Sequence, residues 1–148
     1  MKKNNIKPVI DTSATYIDEY TEDIIDEAQM LLLDIKHSDP DEFTKMCGCS
    51  QDKLLEMIEL INDCGTPVWV RQVIVPGIND TEENIKALAE FINKSLDNVY
   101  KVELLGYHTM ALNKYEKLGM KYKLDGVKAM DKKKLAKLQK TLNEYLEQ

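Results

Sequence analysis

Short apolar runs alternate along this chain with longer stretches in which apolar residues recur at helical spacing. The runs predict strands over about residues 8–12, 30–36, 68–75 and 100–105. Continuous apolar runs are typical of parallel strands that are buried on both faces. No hairpin dipeptide joins one predicted strand to the next. The pattern therefore predicts an α/β fold with a parallel sheet and right-handed crossovers.

The helices of this fold are predicted from apolar periodicity and from residues that begin or end helices. A first helix is expected over about residues 16–28, with Ser50 capping the next one and Gly65 ending it. Asp80 and Glu83 have the spacing of a capping box for a third helix.

The last predicted helix and the number of predicted strands indicate the domain organisation. Asp131 is expected to cap the last helix, after an irregular segment over about residues 107–130. Four strands are too few to close a (β/α) barrel. We therefore predict one domain over residues 1–148, made of about four βα units of an incomplete barrel.

Composition narrows the possible partners. The chain has 148 residues, with 20 basic and 26 acidic side chains and a net charge of -6. This balance disfavours a nucleic-acid partner, for which a basic stripe would be expected. A lysine-rich stretch over residues 128–140 is interpreted as the solvated face of the last helix. The sequence contains no apolar run of membrane-spanning length and no signal peptide, so we expect no membrane association and a cytoplasmic location.

The three cysteines do not form a recognisable metal motif. Cys47 and Cys49 are close in sequence, and Cys64 lies at the other end of a predicted helix. That helix would hold Cys49 and Cys64 about 20 Å apart. We therefore expect reduced thiols that bind no common metal ion.

Polar and ionisable residues end the apolar runs, and this is the strongest functional signal. Asp11 and Thr12 end the first run, Asp34 and Lys36 end the second, and His108 follows the fourth. In parallel α/β proteins the chemistry gathers at the carboxyl ends of the strands. The sequence therefore predicts a site at this edge of the sheet.

Five segments of the chain occur in a familiar order and spacing: Ile10-Asp11-Thr12, Leu33-Asp34-Ile35-Lys36, Val68 to Gly77, Glu103 to His108, and Tyr122 to Val127. With these segments the chain resembles the activating enzymes of glycyl-radical enzymes, which are radical S-adenosylmethionine (SAM) proteins. The resemblance runs from about residue 9 to the last helix and implies the carboxyl-terminal part of a six-unit partial barrel. The family's C-x3-C-x2-C motif for a 4Fe–4S cluster and its Gly-Gly-Glu segment do not occur in this sequence.

The resemblance implies a role for residues at the first two strand ends. Lys36 would pair with the carboxylate of SAM, a task that suits an ammonium on a long stem. Asp11, Thr12, Asp34 and the carbonyl oxygen of Leu32 would coordinate a monovalent cation beside that carboxylate. Oxygen ligands suit a hard cation. The alternative is that the two Asp side chains cap the loops that follow them.

The resemblance also implies roles on the third and fourth strands. His108 would lie near the ribose of SAM, and Val73 and Leu105 would flank its adenine. Arg71 would face the barrel interior, near SAM or the substrate. A charge within a buried strand needs a partner, and Asp34 or Glu103 are the structural alternatives.

The activity implied by the resemblance is that of an oxidoreductase. Its 4Fe–4S cluster reduces SAM, and the 5′-deoxyadenosyl radical takes a hydrogen from a glycine of a partner glycyl-radical enzyme. Flavodoxin or ferredoxin would donate the electron. This chain would supply only part of the SAM pocket, with no catalytic residue and no cluster ligand of its own, and we expect it to be inactive alone.

Two other functions are compatible with the residues. Lys36 could form a Schiff base in an aldolase-like lyase, although Asp11 and Asp34 would favour its charged form. The chain could also be a stand-alone half-barrel that binds a partner, since the strand edge at Val9 and Ile10 would otherwise be unpaired.

Overall fold

The computed structural model of the chain describes residues 6–146, and a parallel sheet lies at its centre. In this part of the chain the sheet has four strands, which lie side by side in sequence order. Each strand pairs in parallel with the next. The predicted fold class is confirmed. The strands are β1 (Val9–Thr12), β2 (Met30–Asp34), β3 (Val68–Ile74) and β4 (Val99–Gly106).

All crossover helices lie on one face of the sheet, because sequential parallel strands with right-handed crossovers allow no other arrangement. Burial along β3 agrees with this: Val68, Val70 and Ile74 are buried under the helices, and the side chains that alternate with them are only half-buried. The described α-helices are α1 (Thr21–Glu27), α2 (Pro40–Cys47), α3 (Asp52–Cys64), α4 (Glu82–Ser95), α5 (Leu112–Lys117) and α6 (Lys132–Leu146).

The hydrophobic core fills the space between the sheet and these helices. Each fully buried aliphatic side chain contributes about 1.5–3 kcal/mol relative to an exposed one. None of the described helices is long and apolar enough to cross a membrane. The core includes Leu31, Leu33 and Ile35 from the second strand and its end, Leu54, Ile58 and Ile61 from α3, Leu88 and Ile92 from α4, and Leu138 and Leu142 from α6.

The first helix begins later than the sequence predicted. Asp18 accepts hydrogen bonds from the amide of Tyr20 (3.1 Å) and from the hydroxyl of Thr21 (3.0 Å). These bonds form a turn, and α1 begins at Thr21 rather than near residue 16. The segment predicted as irregular after β4 also differs, since it contains a 3₁₀ turn (Thr109–Ala111) and α5.

Three predicted caps have mixed outcomes. The N-cap of α3 is Gln51 rather than Ser50, and the Gln51 amide donates to the carbonyl oxygen of His37 (3.0 Å) instead of capping. Gly65 ends α3 in the left-handed conformation (φ 66°), as predicted. Asp131 accepts a hydrogen bond from the amide of Lys134 (2.8 Å) at the start of α6, also as predicted.

The loop between β3 and α4 is held by two buried polar side chains. Asn79 accepts from the amide of Val75 (2.7 Å) and donates to the carbonyl oxygen of Val73 (2.9 Å). Asp80 accepts from the amide of Gly77 (2.8 Å) and forms an ion pair with Lys134 of α6. These bonds fix the carboxyl end of β3 relative to the last helix.

The predicted capping box at this loop is wrong. Thr81 is the N-cap of α4, and its hydroxyl accepts from the amide of Asn84 (3.3 Å). Asp80 is occupied instead with the loop and with α6, which the sequence pattern alone does not reveal.

The Asp80–Lys134 pair gives a stability prediction with a pH dependence. The hydrogen bond from Lys134 lowers the pKa of Asp80 below its ordinary value, while an Asp in the unfolded chain titrates near about 3.9. The ionised carboxylate therefore stabilises the fold above about pH 4, and this contribution is lost as the pH falls through the lower folded pKa. We expect Asp80→Asn to lower the free energy of unfolding at neutral pH by about 1–2 kcal/mol.

Urea denaturation of both proteins at a series of pH values measures this effect. The difference between wild type and Asp80→Asn should shrink below about pH 4. Glu82→Gln is the matched control, because the Glu82 carboxylate at the start of α4 forms an exposed ion pair with Lys137 of α6 (2.6 Å). A difference that stays constant down to the lowest pH would contradict the assignment to the ion pair.

Candidate functional site

The face of the sheet that the helices leave open is rich in charged side chains. Register places Asp34 of β2 beside Arg71 of β3, and Arg71 beside Glu103 of β4. Parallel sheets are normally covered on both faces. An open face with charges at adjacent strand positions is therefore a place where a ligand or another polypeptide segment can bind.

The guanidinium group of Arg71, on β3, forms hydrogen bonds with side chains of the two preceding strands, β2 and β1. Its Nε donates to Asp34 (2.8 Å), and one terminal nitrogen donates to both carboxylate oxygens of Asp11 (2.7 Å each). The Arg71 and Asp34 side chains are largely buried, whereas that of Asp11 is 60% exposed. Burial lowers the pKa of Arg71, but the hydrogen bonds to Asp11 and Asp34 outweigh it and raise the pKa above its ordinary value. The guanidinium is thus permanently charged and fixed in place.

The residues predicted to hold a monovalent cation are brought together only in part. Asp11 and Asp34 do not contact each other directly but lie on either side of Arg71, which donates hydrogen bonds to both carboxylates. The hydroxyl of Thr12 accepts a hydrogen bond from the amide of Ala14 (3.0 Å). Leu32 lies beside Asp11 in the strand register. The structure shows a structural partner for Arg71 at Asp34, one of the two that the sequence suggested, and the cation site stays a prediction.

Lys36 lies just beyond the end of β2, on the same side of the sheet as Asp34. Its ammonium is 3.4 Å from the second carboxylate oxygen of Asp34, and its side chain is 34% exposed. This is a long, partly solvated ion pair, which costs little to break. Lys36 is therefore the charged group at this edge that is most available to an anionic ligand.

The remaining predicted residues lie further along the same edge. Val73 and Leu105 are neighbours in the register of β3 and β4, and both are half-buried. They form a small apolar surface one step beyond Arg71. His108 is exposed and directly precedes the 3₁₀ turn. Their roles toward a ligand stay predictions, but their positions place them at one edge of the sheet.

Sequence reasoning assigned no role to two side chains of the open face, Trp69 and Lys101. Trp69 lies two residues before Arg71, and the ammonium of Lys101 is 4.2 Å from its ring centroid. Lys101 also pairs with Glu103 (3.0 Å). The indole nitrogen of Trp69 is buried and makes no hydrogen bond within the described residues. Two-residue alternation around Arg71 was the available signal, because it places Trp69 on the same face.

The donor set for a metal cluster is not assembled in this part of the chain. Within residues 6–146, no three His, Cys, Asp or Glu side chains converge on a position where they could hold a metal ion. Burial raises the pKa of the Cys47 and Cys64 thiols, which disfavours the thiolate form that binds metals. The described residues therefore do not fit a 4Fe–4S cluster.

Comparison with known proteins places these features in a family context. No family model matches the chain. The pyruvate formate-lyase-activating enzyme of Clostridium pasteurianum is 44% identical over 146 residues, which is 99% of this chain and 60% of that protein. The chain thus spans less than two thirds of the length of this relative. The family resemblance seen in the sequence is confirmed.

Solved structures support the fold. A domain of a pyruvate-formate lyase-activating enzyme from Bacteroides vulgatus superposes with a TM-score of 0.74 at 21% identity, over 97% of this chain and 80% of that chain. Streptococcus suis SuiB bound to S-adenosylmethionine superposes with a TM-score of 0.66 at 19% identity, over 99% of this chain and 30% of that chain. At these identities the likeness concerns the fold alone.

The Arg71 network predicts unequal effects of substitution. Arg71→Ala would leave the largely buried Asp34 carboxylate without its main partner, so we expect the free energy of unfolding to fall by about 1–3 kcal/mol. The free energy of unfolding of Arg71→Lys should lie between that of Arg71→Ala and that of wild type, because an ammonium cannot bind both carboxylates in the same planar geometry.

Asp11→Asn is the matched control for the exposed half of the network. Its carboxylate is mostly solvated, so we expect a loss of no more than about 1 kcal/mol. Urea denaturation at neutral pH measures all three variants. Equal losses for Asp11→Asn and Arg71→Ala would mean that the pairing with Asp34 contributes nothing.

Proposed function

This chain is a relative of the pyruvate formate-lyase-activating enzymes over almost its whole length, and we propose that it forms part of the SAM pocket of such an enzyme. The proposal assigns it to the carboxyl-terminal portion of a radical SAM oxidoreductase. It is carried by one observation: Lys36, Arg71 and His108 lie at the carboxyl edge of an open parallel sheet in a chain with 44% identity to such an enzyme.

In this proposal the chain's own residues bind and orient the cofactor. Lys36 leaves its weak pair with Asp34 to bind the carboxylate of SAM. Arg71 keeps Asp34 and Asp11 in position through its ion pairs with both carboxylates. Val73 and Leu105 provide apolar contact for the adenine, and His108 lies toward the ribose.

The remaining parts of the activity lie outside the described residues. When bound, SAM and a 4Fe–4S cluster would supply one-electron cleavage of the sulfonium bond, with the electron from a flavodoxin or ferredoxin. The partner that receives the glycyl radical would be pyruvate formate-lyase or a related enzyme. The cluster ligands would come from the portion of the relatives that this chain does not match.

The Schiff-base alternative is less well supported by the geometry. Lys36 is partly exposed and pairs with Asp34, whereas a Schiff-base lysine is typically desolvated in an apolar pocket or placed beside another cation. The alternative of a stand-alone binding module stays a prediction.

The SAM proposal predicts a selective effect at Lys36. Wild-type chain should bind SAM in isothermal titration calorimetry, and Lys36→Ala should weaken binding about tenfold through loss of the charge-assisted hydrogen bond to the carboxylate. Methylthioadenosine lacks that carboxylate, so both proteins should bind it equally. Lys53→Ala is the matched control, since Lys53 pairs with Glu56 on the outer surface of α3. Equal weakening for both ligands, or no SAM binding by wild type, would contradict the assigned role.

A second experiment tests the proposal that the cluster ligands lie outside this chain. Anaerobic reconstitution of this chain with iron and sulfide should yield well under one cluster per chain, because the described cysteines do not converge. Replacement of Cys47, Cys49 and Cys64 together by Ser should leave the residual iron unchanged. A stoichiometric cluster with its absorbance band, lost in the triple variant, would show that this chain holds the ligands after all.

A further inference from the structure

Charge is distributed very unevenly along this chain. Residues 112–140 carry ten of the 20 basic residues but three of the 26 acidic ones, a local charge of +7, so the remainder of the chain carries −13. Three of these lysines form ion pairs: Lys134 with Asp80 in the loop before α4, Lys137 with Glu82 of α4, and Lys140 with Glu144 of α6. The other seven form no ion pair with any described residue, and they are Lys114, Lys117, Lys121, Lys123, Lys128, Lys132 and Lys133.

Two of the unpaired lysines line an apolar cleft. The cleft has a volume of about 590 Å³ and is lined by residues of α2, by Tyr115 of α5 and the segment that follows α5, and by Val75 and Ile78 beyond the end of β3. Lys121 and Lys123 belong to this lining. Lys45, which α2 contributes, is paired with Glu42 (2.5 Å), so the net charge of the lining comes from Lys121 and Lys123.

The apolar part of the lining is aromatic and methionine-rich. Tyr115 and Tyr122 pack with ring centroids 4.7 Å apart, and Met46 and Met120 line the cleft with them. The hydroxyl of Tyr122 faces that of Tyr107, and this contact raises the pKa of Tyr122 to about 12, so the phenol is neutral at physiological pH. Methionine and aromatic side chains are common where a protein surface adapts to another chain.

Two apolar side chains of this region are exposed, Met120 in the lining of the cleft and Leu118 two residues before it in sequence. Leu118 is 70% exposed and Met120 is 57% exposed, although both lie within one short, lysine-rich segment. Contiguous exposed apolar side chains surrounded by polar residues mark interaction surfaces more often than chance exposure does. The combination of an apolar cleft with uncompensated positive charge specifies the chemistry of what would bind there.

We propose that this cleft docks a short apolar segment of a separate protein, flanked by Asp or Glu side chains. The apolar side chains of that segment fill the space between Met46, Met120 and Tyr122, and its carboxylates pair with Lys121 and Lys123. A long nucleic acid is disfavoured because the rest of this chain carries −13 and would repel it. The observations behind this inference, the lining of the cleft and its two lysines, differ from those behind the proposed SAM pocket, which are the residues Arg71 and Lys36.

Fluorescence anisotropy with a labelled probe tests the proposal on the full chain. The probe is a short peptide with a Leu-Phe-Leu centre and two Glu residues on each side. One comparison peptide replaces Glu by Lys, and another replaces Leu and Phe by Ser. We expect binding of the first peptide only, and weaker binding as salt screens the charges.

Two pairs of variants separate the cleft from general surface charge. Lys121→Glu with Lys123→Glu should weaken binding about tenfold, because two charge pairs become repulsive. Lys132→Glu with Lys133→Glu makes the same change in net charge on the exposed start of α6 and should change binding less than about twofold. Met120→Gln should weaken binding, whereas Leu55→Gln on the outer surface of α3 should not. Circular dichroism confirms that each variant is folded.

Several results would overturn the proposal. Equal weakening by both charge-reversal pairs would mean general electrostatic attraction, and equal binding of the Glu and Lys peptides would mean that the lysines play no part. Tighter binding of a single-stranded oligonucleotide of matched charge would favour a nucleic acid instead. A dimer of this chain that dissociates on Lys121→Glu with Lys123→Glu would identify a second copy as the occupant.

Discussion

The bond between Arg71 and two carboxylates organises the open face of this protein. Asp11, Asp34 and Arg71 come from three adjacent strands, and any of them alone would be a poorly compensated charge on a sheet face. Together they satisfy one another and leave Lys36 only weakly held at 3.4 Å. The availability of Lys36 therefore depends on Arg71. Without Arg71, Lys36 would be the main partner of the Asp34 carboxylate and would be held more tightly.

The architecture was predictable from the sequence because it depends on local patterns, namely apolar runs, turn residues and helix caps. Apolar runs such as Val68 to Ile74 define buried strands wherever they occur, and the absence of hairpin turns makes the sheet parallel. The Gly65 and Asp131 signals are also local, since each acts through the backbone of its own helix end. These features need no knowledge of which distant residues meet.

The details that escaped prediction depend on contacts between distant residues. Asp80 has the spacing of a capping residue, but it binds Gly77 and Lys134, and the latter lies 54 positions away. The pairing of Arg71 with Asp11 joins residues 60 positions apart. Sequence patterns placed Asp80 at a helix start, Asp11 at a strand end and Arg71 within a strand, while the choice among several possible partners required the packed structure.

The strand order has a consequence for how the chain assembles. Each strand lies next to the strand that follows it in sequence, so no pairing within the described sheet has to wait for a remote segment. Closing these moderate loops costs little extra entropy as each βα unit is added. The βα units can therefore add to the sheet in chain order as the protein is synthesised at the ribosome. Until the last strand has paired, the growing sheet would present an unpaired edge.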